Sequence, residues 1–156
     1  IKETVVSANP FISDIANSCM EKAQRAGFIV TLLGRRRRFN LWEPKDAWAL
    51  RRENVDCTPV SLKAAGDKWP NKELQRAYCY KALNALIQGS SADMNKAAML
   101  QNYEQHKKIP LSTVHDELNY SVPDKDQALK LQYVMENCVD LTVPIYAEMH
   151  YGEHWK

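Results

Sequence analysis

Residues 111–122, L-S-T-V-H-D-E-L-N-Y-S-V, constrain the fold more than any other stretch of the chain. Two β-prone arms flank a tight charged centre, His115-Asp116-Glu117, and the second arm alternates as a half-buried strand does. The pattern predicts a hairpin that lifts an imidazole and two adjacent carboxylates out of a sheet at its bend. Carboxylates held on a rigid strand end are hard oxygen ligands suited to Mg²⁺. Taken alone, three polar residues at a turn read first as a solvated turn. The neighbouring segments decide between the two.

The chain has 156 residues, 45% hydrophobic and 26% charged, which fits one soluble globular domain with a sizeable core. No run approaches the roughly 18 apolar residues of a membrane span, and no signal peptide precedes the first expected helix. Cys19, Cys57, Cys79 and Cys138 show no C-x-x-C spacing and read as reduced thiols in a cytoplasmic setting. Net charge is only +2, but the basic residues are concentrated in Arg35-Arg36-Arg37-Arg38 and Arg51-Arg52 while acids gather later. Such a run suits a solvated surface loop or a phosphate-facing surface. The first residue is Ile1, so the chain is expected to be processed, truncated or part of something that began upstream, with residues 1–8 as its tail.

The first helix has clear ends. Asn9 can cap it, Pro10 suits its first position and Gly27 stops it, with Ile12, Ile15, Ala16, Cys19, Met20, Ala23 and Ala26 on one apolar face. Residues 28–33 then read as a strand that delivers Gly34 and four arginines, whose forks match phosphate oxygens. Residues 41–70 are the least regular part, with Trp42, Trp48 and Trp69, and suit either an ordered excursion packed by its aromatics or a mobile loop. A long helix is expected from Asn71 to about Lys107. At about 100° per residue, Tyr80, Lys81, Asn84, Gln88, Ser91 and Asn95 share one arc, and Leu83, Leu86, Ile87, Met94, Ala97 and Ala98 another. Asn and Gln both donate and accept, which suits base edges and sugars, whereas an ordinary solvent face carries more Glu and Lys pairs. Gly89-Ser90-Ser91 in mid-helix lets a partner come close. After the hairpin, Asp124 and Gln127 have capping-box spacing, with Ala128, Leu131, Met135 and Cys138 as the inward stripe. Residues 141–149 read as a final strand near an edge, given Pro144. The resulting order is an α+β plan, an antiparallel sheet backed by helices. A zinc site from His150, His154 and Cys138 is a weaker competitor, because no second tight ligand pair exists.

Three of these stretches resemble motifs of the C-terminal palm part of family A DNA polymerases, with a phage-like character. Thr31-Leu32-Leu33-Gly34-Arg35-Arg36 is similar to the family's T-x-x-G-R-R strand and turn. Residues 82–93 are similar to its N-x-x-x-Q-G-x-x-A-D helix, and Val114-His115-Asp116-Glu117-Leu118 to its catalytic H-D-E hairpin. Gly152-Glu153-His154-Trp155 resembles the family's G-x-N-W ending. The motifs occur in the family's order and cover nearly the whole chain, residues 1–156, with residues 41–70 a longer connecting excursion than bacterial repair members carry.

The resemblance implies a palm-type sheet and a template-directed DNA polymerase that adds deoxynucleotides from dNTP to the 3′-hydroxyl of primer–template DNA. It implies Asp116 as a ligand of two catalytic Mg²⁺ ions, Glu117 as a supporting carboxylate near them, and His115 at the primer terminus. Asn84 and Gln88 would contact template–primer in the minor groove or its sugars, Lys81, beside Tyr80, would be a further DNA-binding residue, and Arg35 and Arg36 would lie near the DNA backbone. Two departures affect the detail: Tyr80 stands where many members carry arginine, and Thr113 where glutamine is usual. A larger departure is absence. Two metals about 4 Å apart need carboxylates from more than one strand, and the family's D-Y-S-Q-I-E-like motif and fingers helix are not in this chain. The expectation is therefore half an active site, completed by a second polypeptide carrying thumb, fingers and the first aspartate. The alternative is a non-catalytic DNA-binding or assembly module of palm shape.

Overall fold

The computed structural model describes residues 9–153, so residues 1–8 and the His154-Trp155 end of the last motif lie outside the described residues. Chain contacts divide it into two compact units, residues 1–89 and residues 90–156, each considered by itself below.

The first unit opens with helix α1 (Phe11–Ala26); Pro10 occupies its N-cap with no side-chain cap bond, where the sequence expects Asn9 as the cap and Pro10 as the first helical residue. The backbone amides of Ile12 and Ser13 donate to the carbonyls of Asn9 and Pro10, each at 3.1 Å. At the far end Gly27 adopts φ 77°, which glycine reaches without a Cβ penalty, and its amide donates to the Ala23 carbonyl. The apolar face is narrower than its spacing predicts: Ala23 is buried and Cys19 packs on the core, but Ile15 and Met20 are exposed. Ala23, Ile29, Phe39, Cys79 and Ala82 form this first core.

Strand β1 (Phe28–Val30) stops three residues short of the expected Leu33, because residues 31–34 turn the chain around at Gly34, φ 87°. Leu32 and Leu33 are consequently exposed. The arginine run is itself a strand, β2 (Arg36–Arg38), antiparallel to β1 with Phe28 opposite Arg38 and Val30 opposite Arg36. It is thus neither a loop nor buried: all three arginines are exposed.

Residues 41–70 are an ordered excursion. It contains β3 (Trp42–Pro44), α2 (Ala47–Arg52) and α3 (Leu62–Lys68), the last capped by the Ser61 hydroxyl. Ala47, Cys57, Ala65 and Trp69 make a second core, flanked by Trp42, Leu50, Val60 and Leu74. Trp48 stays 62% exposed, with the Arg52 guanidinium over its ring. Arg51 donates to the buried Glu43 carboxylate and to the Cys57 carbonyl, and that Glu43 bond holds the guanidinium pKa above its ordinary value. The Asp56 carboxylate accepts from Lys68 and from the Thr58 amide and hydroxyl, and these bonds hold its pKa well below the carboxylate range. Its contribution is therefore present above the unfolded value of 3.8 and lost as pH falls through and below that value.

The expected helix from Asn71 begins eleven residues late. Strand β4 (Leu74–Arg76) pairs antiparallel with β3, Trp42 opposite Arg76, and takes the backbone that a helix would need. Tyr78 then adopts φ 63° and leads into a 3₁₀ turn (Cys79–Lys81) before helix α4 (Ala82–His106). Tertiary pairing overrides helix propensity over residues 71–81.

Arg76 ties these pieces together. Its Nε donates to the Gln24 carbonyl at 3.2 Å and its Nη1 to the Phe39 carbonyl at 2.9 Å, while its plane lies 4.6 Å from the Trp42 ring centre. The Gln24 side chain answers with bonds to both the Arg76 amide and carbonyl. A Cβ at Gly27 would stand 2.7 Å from the guanidinium carbon, so a side chain there would displace the guanidinium from its present place, while φ 77° by itself favours glycine.

In the second unit, β5 (Ser112–Val114) and β6 (Glu117–Asn119) form the expected hairpin, with Val114 opposite Glu117. Helix α5 (Lys125–Asn137) is capped by Asp124, whose carboxylate accepts from the Gln127 amide at 2.7 Å. Its inward face is centred on Leu131 and Val134. Residues 141–149 are not a strand, contrary to the sequence expectation: their backbone has no ladder among the described residues. Side chains of α5 hold them instead, the Gln132 amide donating to the Ala147 carbonyl at 2.6 Å and the Glu136 carboxylate accepting from the Ala147 amide at 3.0 Å. Helices with three two-stranded antiparallel ribbons give the α+β class expected. Among the described residues no helix is long and apolar enough to cross a membrane.

Two outcomes follow for stability. Arg76→Ala, which leaves two carbonyls without their donor, should cost about 2–4 kcal/mol in urea denaturation followed by tryptophan fluorescence, with little recovered by Arg76→Lys. Gln132→Ala should speed hydrogen exchange at the Ala147 amide while leaving exchange in α1 unchanged.

Candidate functional site

The sequence-expected site residues fall into two groups, one in each unit. In the first unit, Arg35 ends the turn after β1, and Arg36 begins β2 with its guanidinium 4.8 Å from the Phe28 ring centre. The Arg35 Nη2 donates to the Gly89 carbonyl at 2.9 Å. This brings the arginine turn to the residue that directly follows Gln88. Asn84 and Gln88 are both exposed on α4, one turn apart, as the projected stripe requires. Tyr80, Lys81 and Ser91 of that stripe are exposed as well, and Asn95 is half-buried. Lys81 holds its ammonium 5.3 Å and 5.6 Å from the Tyr78 and Tyr80 ring centres, so its charge sits on aromatic faces rather than in an ion pair. The companion apolar arc is less uniform, since Ile87 is 60% exposed beside the stripe.

In the second unit the hairpin has a two-residue loop, His115-Asp116. The loop length demands a left-handed backbone at its first position, and His115 has φ 54°. This is an uncommon conformation for a residue with a Cβ, and histidine is among the types that tolerate it. His115, Asp116 and Glu117 are all exposed. The base of the ribbon is anchored while its loop is presented to solvent. The Leu111 amide donates to the Asn119 carbonyl at 2.7 Å, and Lys108 donates to the Ser121 carbonyl at 3.1 Å. The fully buried Asn102 amide donates to the Tyr120 hydroxyl at 3.2 Å, and burial raises the Tyr120 pKa. Thr113 is exposed on β5 opposite Leu118.

Charge divides with the units. Residues 9–89 carry 14 Lys and Arg against 8 Asp and Glu, and residues 90–156 carry 6 against 10. The first unit thus presents a cationic surface with amide donors and acceptors, and the second an acidic hairpin. Among the described residues no three His, Cys, Asp or Glu side chains converge as a complete metal site. Asp116 and Glu117 supply the hard oxygen donors a divalent ion takes, but fewer than the six or more such an ion needs. Of the residues of the zinc alternative, Cys138 directs its thiol to the Met94 and Met135 carbonyls, and His154 lies outside the described residues. Sequence reading missed Thr31 and Asn102, both buried and both supporting these groups from behind. A buried polar residue inside an apolar or helical pattern was the available signal.

A sequence model of DNA polymerase family A matches residues 3–156. A DNA-directed DNA polymerase of Pseudomonas phage M6 is 35% identical over 146 residues, covering 94% of this chain and 18% of that protein. DNA polymerase I of Synechocystis is 33% identical over 150 residues, covering 92% and 14%. DNA polymerase theta of Drosophila melanogaster is 30% identical over 159 residues, covering 92% and 6%. Among solved structures, the POL domain of Pol1 from M. smegmatis, in complex with DNA primer-template and dNTP, superposes with a TM-score of 0.60 at 24% identity. That match covers 92% of this chain and 22% of the other, and it is a likeness of fold. The chain spans under a fifth of the length of each of these curated relatives. It belongs to DNA polymerase family A.

Proposed function

We propose that this chain supplies one side of the active site of a template-directed DNA polymerase. The observation that carries the reading is the anchored hairpin whose two-residue loop presents His115 and Asp116, with Glu117 next to them, to solvent. The reaction is attack of a primer 3′-hydroxyl on the α-phosphate of a deoxynucleoside triphosphate, with pyrophosphate leaving. Asp116 is the metal ligand, Glu117 a carboxylate that supports it, and His115 a donor to the primer terminus. Bound Mg²⁺ supplies Lewis-acid activation of the phosphate and a lowered pKa for the attacking hydroxyl. The hairpin's part is to hold anionic oxygens on a short, tethered ribbon, so that little reorganisation remains when substrate arrives.

The exposed Asn84 and Gln88 read minor-groove edges or sugars, where acceptors occur at every base pair. Arg36, Arg37, Arg38 and Lys81, all exposed, attract the phosphate backbone. Asp116 and Glu117 are too few to complete a two-metal site, so a further carboxylate and the nucleotide-gripping residues come from polypeptide outside these 156 residues. A second chain carrying thumb, fingers and the first aspartate meets that need.

Single-nucleotide primer extension tests this. The 156-residue chain by itself should extend no primer, and metal-dependent extension should appear with the complementing polypeptide; robust extension by the chain alone would contradict the division of labour. In the complete polymerase, Asp116→Asn should lower incorporation by about a thousandfold, and Glu117→Gln by about tenfold. Duplex affinity should stay within about twofold in both variants. Wild-type incorporation by Asp116→Asn would remove that residue from the metal site and favour a DNA-binding module without chemistry.

A further inference from the structure

Gly89 stands inside α4, where alanine would be the better helix former. Its backbone is not left-handed, so conformation does not explain it. Space does. A Cβ at position 89 would lie 2.7 Å from the Thr31 methyl carbon and 3.3 Å from the Arg35 Nη2. Thr31 is 4% exposed and closes its own turn twice. Its amide donates to the Arg35 carbonyl at 2.8 Å, and its hydroxyl both accepts from the Arg35 amide at 3.1 Å and donates to the Arg35 carbonyl at 3.2 Å. The Gly34 amide returns to the Thr31 carbonyl at 3.0 Å. Arg35 then reaches across to the Gly89 carbonyl. A turn held this tightly moves as one body, and the only way it can lie this close to α4 is over a residue without a side chain.

We infer that Thr31, Arg35 and Gly89 form a positioning lock that sets strand β2 against the Asn84–Gln88 face of α4. Arg35 serves that lock through the helix carbonyl and is a positioning residue rather than a phosphate ligand. Two features that read as independent DNA contacts, the arginine run and the amide stripe, become one surface of fixed spacing. The structural half of this stands on the contacts alone; its consequence for DNA rests on the function proposed above.

The test has two arms, both on the 156-residue chain. In thermal melts Gly89→Ala should lower Tm by several degrees, and Thr31→Ser, which removes the obstructing methyl but keeps the hydroxyl, should restore at least half of that loss in the double variant. If Gly89→Ala does not fold, folding of the double variant is the rescue. Additive losses, an unfolded double variant, or an unchanged Tm in Gly89→Ala would overturn the lock. The second arm is anisotropy on a 20-base-pair primer–template over a salt series. Arg36→Gln should reduce the salt slope by about 0.9, the value for one lost phosphate contact. Arg35→Gln should weaken binding severalfold with the slope nearly unchanged, and a full loss of about 0.9 there would make Arg35 a phosphate ligand and overturn its assignment. Absence of duplex binding by the wild-type chain would defeat the DNA reading and the role given to Arg35 in it, while the melts decide the lock separately.

Discussion

The guanidinium of Arg76 is the interaction on which the first unit depends. It satisfies one carbonyl at the end of α1 and another after β2, and it stacks on Trp42 at the edge of the second core. A charged group in this position is stabilising only because its donors are met; an unpaired half-buried cation would cost more than it contributes. The guanidinium lies against Gly27, whose left-handed backbone ends α1 just before β1. One side chain thus links the register of β3 with β4, the end of the first helix and the start of the ribbon that carries the arginines.

Much of the local structure of the second unit was legible because its signals are local. The H-D-E centre between β-prone arms needs only a two-residue loop, although His115, at φ 54°, is not the residue type that such a loop favours. The capping spacing of Asp124 and Gln127 is likewise a property of four consecutive positions. What failed to show was decided by distant partners. Residues 71–81 carry helix-compatible types, yet pairing of Leu74–Arg76 with β3 removes them from the helix. The apolar run ending at Leu33 was cut at Val30 by a turn whose stability comes from the Thr31 hydroxyl. Residues 141–149 alternate as a strand does, but two side chains of α5 hold them in place of a sheet neighbour. Periodicity reports which face is buried and not what covers it.

The distribution of charge fits the chemistry of a polymerase fragment. Phosphate attraction is long-ranged and tolerant of position, so an excess of cations spread over the first unit serves it. On the proposed function metal ligation, short-ranged and intolerant, would fall to the adjacent carboxylates Asp116 and Glu117, on a hairpin fastened at its base through Asn102, Lys108 and Leu111.

The most direct measurement of that claim is photocrosslinking from a reactive 3′-terminal primer nucleotide in the complete polymerase bound to primer–template, with the adduct located by mass spectrometry. The account predicts attachment within residues 114–118, around His115. Attachment confined to residues outside the hairpin, with residues 114–118 unmodified, would contradict it.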